Sequence, residues 1–221
     1  HAGTRSQVKK LVKEKRVKVN GVLAKTSSMQ IDEVNDEVTL DGIPVIYEEH
    51  MYLMLHKPAG YISATEGNVP TVMDLIYEDN NGLFPCGRLD KDTEGLLLIT
   101  NDGPLAHTLL SPKHHVEKEY YVEHALDMSE DDIVRLQSSI SYNGESYKPA
   151  KVNMITPRSC TLTITEGKYH EIKFMFQALG DKVTYLKRLR MKNLVLDESL
   201  KPGEYRYLTE EEIADLKADE Q

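Results

Sequence analysis

The chain has 221 residues, 40% of them hydrophobic and 29% charged, with a formal net charge of −9. That length allows one or two domains with a core that needs no staples, and two cysteines, Cys86 and Cys160, exclude a disulfide scaffold or a four-cysteine zinc site and suit a reducing compartment. No apolar run approaches the ~18 residues of a membrane span and none opens the chain as a signal peptide would, so a cytoplasmic protein with no membrane partner is expected.

Residues 1–26 carry eight Lys/Arg against Glu14 alone. Residues 5–16 read as a short helix. Val8, Leu11 and Val12 share one stripe, and Arg5, Lys9, Lys10, Lys13 and Arg16 fill the rest. Residues 17–22 follow as a strand with Asn20-Gly21 as a turn signal. Residues 31–40 look extended, and Asp41-Gly42 turns the chain. The pattern breaks around residues 44–50, which places a boundary between domains 1–47 and 48–221. The first is small for a lone domain, so it either leans on the rest of the chain or is incomplete at its start.

Residues 51–55 are a strand candidate ending in the loop Lys57-Pro58-Ala59-Gly60. Residues 96–100 form a continuous apolar run, the mark of a strand buried on both faces. Pro104 suits the opening of a short helix through Leu110. Residues 120–123 read as a strand, and Ser129 with Asp132 opens a helix through Gln137. Residues 152–156 and 161–165 are two further strands. Over 171–179, Ile172, Met175, Phe176 and Leu179 fall on one helix face, and Gly180 closes it. Thr209 with Glu212 caps a last helix. Strands with interspersed helices predict an α+β fold with a largely antiparallel sheet. Residues 165–192 are again basic, with seven Lys/Arg against three acids, and residues 196–221 are acidic. Two basic patches on an acidic body suit local contact with a polyanion, although a solvated basic face explains them equally well.

The densest polar segment is Gly87-Arg88-Leu89-Asp90-Lys91-Asp92-Thr93-Glu94-Gly95, which feeds directly into the apolar run. Loops held by rigid elements often carry function. A calcium loop fails at its twelfth position, Asn101, where a bidentate Glu is required. An acidic turn without chemistry is the bland alternative. The third reading is a carboxylate flanked by a guanidinium and facing an anionic substrate. Composition alone does not separate Asp90 from Asp92. A sugar hydrolase built on that pair finds no support in the basic patches. His107, His114, His115 and His170 fit no zinc spacing, and neither a metal nor a cofactor is expected. Cys86 reads as a small core residue.

GRLDKDTEGLLLITNDG at 87–103 resembles the motif of the RNA pseudouridine synthases, specifically the branch acting on ribosomal RNA. LHKPAGY at 55–61, SPKHHVEKEYYVEH at 111–124, EGKYHEIKFMFQALG at 166–180 and LKPGEYRYLTEEEI at 200–213 resemble further family motifs in the family's order. Together they span most of residues 51–215. Residues 4–47 resemble a small RNA-binding domain shared with a small-subunit ribosomal protein. The histidine pair and the closing segment are most similar to the members that modify small-subunit rRNA.

The resemblance implies a small α/β RNA-binding domain followed by a catalytic domain whose large, mostly antiparallel mixed sheet is flanked by helices. It implies isomerisation of uridine to pseudouridine after base flipping, with no cofactor and no metal. Asp90 would be the catalytic carboxylate, whether it acts on sugar or base, and Lys173 the cation that keeps it ionised. Tyr120 would stack on the uracil ring, with Tyr121 facing the other way by strand alternation. Arg88 would fill the gap left by the flipped base or grip phosphate; its alternative is an ion pair with Asp92 or Glu94. Ile172 would line the pocket, Thr93 would shape the loop against substrate, and Lys57 would touch phosphate. Arg5, Lys9, Lys10, Lys13 and Arg16 would grip the RNA backbone. The partner would be ribosomal RNA, free or within a small-subunit assembly intermediate, bound by a monomer. Two departures stand out. Phe174 occupies a position where a second basic residue is common and is expected to weaken a phosphate contact, and Met191 precedes Lys192 in what reads as a loop beside the pocket. The rival readings are a non-catalytic RNA-binding assembly protein on the same fold and the same isomerase acting on large-subunit rRNA.

Overall fold

The computed structural model describes residues 3–45, 50–78 and 82–218. The chain divides into two compact units, His1–His50 and Met51–Gln221. The boundary expected between residues 47 and 48 lies outside the described residues.

The first unit opens with α1 (Arg5–Lys13), fixed at its start by a reciprocal capping box in which the Thr4 hydroxyl accepts from the Gln7 N–H and the Gln7 side chain accepts from the Thr4 N–H. Val8, Leu11 and Val12 are its half-buried stripe and the basic residues are exposed. The helix stops short of Arg16 because Lys15 takes a positive φ of 58°. Strands β1 (Val17–Val19) and β2 (Val22–Leu23) form a hairpin through Asn20 (φ 53°) and Gly21 (φ 80°), the conformation that a two-residue turn between twisted strands requires. β3 (Val38–Leu40) and β4 (Ile43–Pro44) complete an antiparallel sheet in the order β2-β1-β3-β4. Extended backbone was expected from residue 31, but only 38–40 are strand. The Asp32 carboxylate accepts from the backbone of Val34 and Asn35 and from the Asn35 side chain, folding the chain into an Asx turn.

The second unit runs in order through β5 (Tyr52–Lys57), β6 (Phe84–Cys86), β7 (Glu94–Thr100), α2 (Gly103–Leu110), β8 (Lys118–His124), α3 (Glu130–Leu136), β9 (Ile140–Tyr142), β10 (Glu145–Tyr147), β11 (Lys151–Thr156), β12 (Ser159–Ile164), α4 (Glu171–Ala178), β13 (Val183–Met191), β14 (Leu194–Val195), β15 (Tyr205–Tyr207) and α5 (Glu210–Lys217). Its large sheet has the order β11-β12-β8-β13-β7-β5-β15, with β14 beside β13 and β6 beside β7. All of these pairs are antiparallel except β13 with β7, giving the mostly antiparallel mixed sheet that was expected.

Both faces of this sheet are covered, which explains the unbroken apolar run in β7. Leu97 and Ile99 point with Leu53 and Leu55 into one core, against Ile172, Met175 and Phe176 of α4 and Leu136 of α3. Leu96 and Leu98 point with Tyr52 and Met54 into the other, against Leu105, Ala106 and Leu109 of α2 and Leu216 of α5. Residues 186–192, expected to include a loop, instead lie mostly in β13, and Met191 is fully buried. Basic residues hid this strand. Arg188 is itself buried, and its Nε donates to the Leu96 carbonyl 2.8 Å away.

Candidate active site

The loop over residues 87–93 is held by its backbone. At its exit Gly95 passes so close to β13 that a Cβ there would lie 2.2 Å from the Arg188 carbonyl oxygen, so only glycine fits. The Ser63 hydroxyl accepts from the Leu89 N–H and donates to the Leu89 carbonyl, and Gly60 N–H donates to the Lys91 carbonyl. Lys57, expected at phosphate, lies instead beneath the loop with no exposed surface. Its ammonium donates to the carbonyls of Pro58 (3.0 Å), Lys91 (3.2 Å) and Thr93 (2.7 Å). Burial pushes its pKa down to about 8 against the upward pull of Asp92, Glu94 and Asp90.

The head of α4 faces this loop. Lys173 Nζ lies 3.0 Å from Asp90 Oδ2 and 2.7 Å from Asp92 Oδ1, so the expected pair is a shared one. Burial draws the Lys173 ammonium down, but its bonds to Asp92 and Asp90 outweigh that and hold it above the ordinary lysine range. For Asp92, burial raises the carboxyl and Lys173 more than reverses it, leaving a net shift downward. His170 caps α4 in the left-handed conformation and brings Nε2 within 3.4 Å of Asp90 Oδ1. Sequence reasoning considered that histidine only as a metal ligand. Among the described residues no three His, Cys, Asp or Glu side chains converge as a metal site.

Geometry separates the two aspartates. The Asp90 side chain is 28% exposed and lines a cavity with Arg88, Thr93, Tyr120, Ile172 and Lys173. Asp92 is 74% exposed and lies outside that cavity. The Tyr120 ring is buried on β8, while the Tyr121 hydroxyl donates to Glu123, away from the cavity. Ile172 belongs both to the cavity wall and to the core. The Thr93 hydroxyl is buried with no partner among the described residues. Arg88 is exposed, and neither anticipated ion pair forms, because Asp92 bonds to Lys173 and Glu94 accepts from the Tyr185 hydroxyl at 2.6 Å.

Glu171, which sequence reasoning passed over, also lines the cavity and is buried. Burial and the neighbouring Glu166 push its carboxyl up to about 7, and its Oε1 has no partner among the described residues. Burial likewise pushes the Cys86 thiol up to about 11, which suits a core residue.

In the first unit Arg5, Lys9 and Lys13 are exposed with no ion pair among the described residues, and Lys10 lies 3.9 Å from Glu14. Arg16, expected on the helix and at the RNA backbone, sits past the helix end and is already forked onto Asp41, with Nη2 2.6 Å from Oδ2.

The cavity thus combines a carboxylate held beside an ammonium, an aromatic wall and an exposed guanidinium. That set can flank a planar, uncharged ring joined to an anionic backbone. Residues 51–178 match the family described as RNA pseudouridylate synthase, and residues 1–38 match the S4 domain. The chain is 49% identical over 219 residues to an uncharacterised RNA pseudouridine synthase of Bacillus subtilis, covering 96% of this chain and 92% of that protein. It is 42% identical over 217 residues to the ribosomal small subunit pseudouridine synthase A of Haemophilus influenzae, covering 96% and 94%. A solved structure of a pseudouridylate synthase superposes with a TM-score of 0.73 at 41% identity, covering 96% of this chain and 94% of that one.

Proposed function

The chain belongs to the RNA pseudouridylate synthase family, and from that membership we propose that it isomerises one uridine of small-subunit ribosomal RNA. The reaction breaks the N1–C1′ bond, forms the C5–C1′ bond, releases the proton on C5 and places one on N1. The target uridine leaves its stack and enters the cavity, which costs a few kcal/mol. Tyr120 stacks on the uracil, Ile172 packs on its apolar edge, and Asp90 acts at the sugar or base beside it. Lys173 pairs with that carboxylate and holds it in place. Arg88 at the exposed rim meets the gap in the stack or a phosphate. The S4 domain supplies cations to the RNA backbone. The protein works as a cytoplasmic monomer on rRNA, free or in an assembly particle.

The observation carrying this reading is that Asp90, and not Asp92, shares the cavity with Tyr120 while paired to Lys173. The similarity to the small-subunit enzyme of Haemophilus influenzae supports the choice of RNA. The test is tritium release from small-subunit rRNA labelled at uridine C5, with wild type and Asp90→Asn, and large-subunit rRNA alongside. Release by wild type only, from the small-subunit transcript only, is expected. Release from the large-subunit transcript overturns the choice of RNA. Intact RNA binding with no release on any substrate, assembly particles included, overturns the activity in favour of a pure RNA binder.

A further inference from the structure

Beside the catalytic cavity lies a second, of about 360 Å³, between the β9–β10 hairpin and the head of α4. Its walls are aromatic. Tyr142 stacks on Phe174 with ring centroids 5.5 Å apart and planes at 30°. Tyr169 meets Phe174 at 6.1 Å and stacks on His170 at 3.8 Å and 14°. One face of Tyr169 is therefore covered, yet the residue is 74% exposed, so its other face is open. Tyr147 and Lys168 complete the wall, with the Lys168 ammonium 5.6 Å from the centre of the Tyr147 ring.

The charges of this pocket cancel. Lys168 Nζ lies 2.6 Å from Glu145 Oε1 and 2.6 Å from the Ser146 carbonyl. A phosphate needs an uncommitted cation, and this pocket holds none among its described residues. A flat ring needs π-faces, and it has them. Asn143, at the hairpin turn, and Glu145 add an amide and a carboxylate able to meet the edge of such a ring. Pocket and candidate active site adjoin: Lys168 lines both cavities, and the Tyr169–His170 stack leads to Asp90, which His170 approaches at 3.4 Å.

We propose that this pocket receives an unpaired nucleobase of the substrate RNA, adjacent to the isomerised uridine, and stacks it on Tyr169 against Phe174 and Tyr142. The proposal rests on the reading that the catalytic cavity takes a flipped uridine. Flipping one base unstacks its neighbours, and a displaced neighbour needs a surface to rest on. Single-stranded RNA is held in this way elsewhere, by aromatic side chains that accept any base through its π-face. Phe174, at a position where a second basic residue is common, is then a stacking wall.

The test uses the full chain and a small-subunit rRNA transcript in which the released tritium has been mapped to one uridine. The nucleotide on either side of that uridine is replaced by an abasic one, each in turn. Wild type should lose roughly tenfold in kcat/KM on one of the two abasic transcripts. Tyr169→Ala, at an exposed site, should lose about as much on the intact transcript and nothing further on that abasic one. Phe174→Leu, which keeps an apolar side chain at the wall, should behave the same way. Losses that multiply, or a Tyr169→Ala enzyme equal to wild type on naked RNA as expected if the pocket docks a protein, overturn the proposal alone. Absence of tritium release by wild type from every transcript overturns the uridine reading and this proposal with it.

Discussion

In the first unit Arg5, Lys9 and Lys13 stand exposed without an acidic partner, and Val19 is the only buried apolar side chain, among the described residues. In the second unit three lysines near the candidate site are committed. Lys173 is shared by two aspartates, Lys57 is ringed by three carbonyls, and Lys168 is tied to Glu145. On the proposed function, the difference follows from what each charge would have to do. Contacts to phosphate act by releasing counterions and tolerate imprecise placement, so free cations on a thin core suffice. Chemistry at one ring carbon needs a carboxylate fixed to within a fraction of an ångström, and that takes paired charges on a thick core.

The largest effect should come from breaking the committed side. Asp90→Asn should lower turnover by about 10²–10⁴ or more with RNA affinity retained, whereas Asp92→Asn should change it by less than about tenfold. Single-turnover tritium release with parallel filter binding checks both, and equal losses at the two positions would remove the distinction between them. Next comes Lys57→Met. The substitution removes the ammonium's hydrogen bonds to three loop carbonyls, of which that of Lys91 keeps the Gly60 N–H, at a cost of about 3 kcal/mol and a fall in Tm of roughly 6–12 °C. Calorimetry on the full chain measures it. A variant as stable as wild type would show that the ammonium does not hold the loop.

What the sequence makes legible here is mostly local. The capping boxes at Ser129 and Thr209, the apolar face of α4 and the doubly buried run in β7 are each written in a few neighbouring residues, and the structure has all of them. Long-range pairing is where reading fails. β13 was missed because Arg188, a charged residue, fills a buried position by bonding to a carbonyl 92 residues away in sequence. Lys57 looked like a phosphate contact because nothing local says that a lysine at the end of a buried strand will be covered by the loop over residues 87–93. Within the candidate site, Asp90 and Asp92 are two residues apart and alike in composition. Only the fold turns one inward and the other to solvent.

A smaller effect concerns Glu171, the buried carboxyl near the site. Its pKa is raised from 4.5 to about 7, so between those values the folded chain keeps a proton that the unfolded chain has released. Stability therefore falls as pH rises through that window and is flat above it. Glu171→Gln removes the dependence. It should match wild type near pH 5 and exceed it at pH 8.5 by on the order of 2 kcal/mol. Thermal melts at the two pH values test this, and an equal gap at both would place the strain elsewhere. Smaller again is the change on the free-cation side. Replacing Arg5, Lys9 and Lys13 together by Gln should leave kcat unchanged and reduce the slope of log affinity against log salt by about 2, at ~0.7 per single-stranded phosphate lost.

Arg16 tests the comparison inside the first unit itself. It carries the same charge as Lys9 and lies a few residues away, but its guanidinium is forked onto Asp41 while Lys9 has no acidic partner among the described residues. If commitment rather than charge decides what a cation does, Arg16→Gln should reduce the salt slope by less than Lys9→Gln does. Its consequence should appear instead in the turn that Asp41 anchors, as faster amide exchange at residues 16 and 41, whose backbones are joined there by a hydrogen bond. Salt titration of RNA binding and hydrogen exchange on the two variants separate the outcomes. Equal slopes would mean that the Asp41 contact yields to phosphate when RNA arrives, and that Arg16 belongs with the free cations after all.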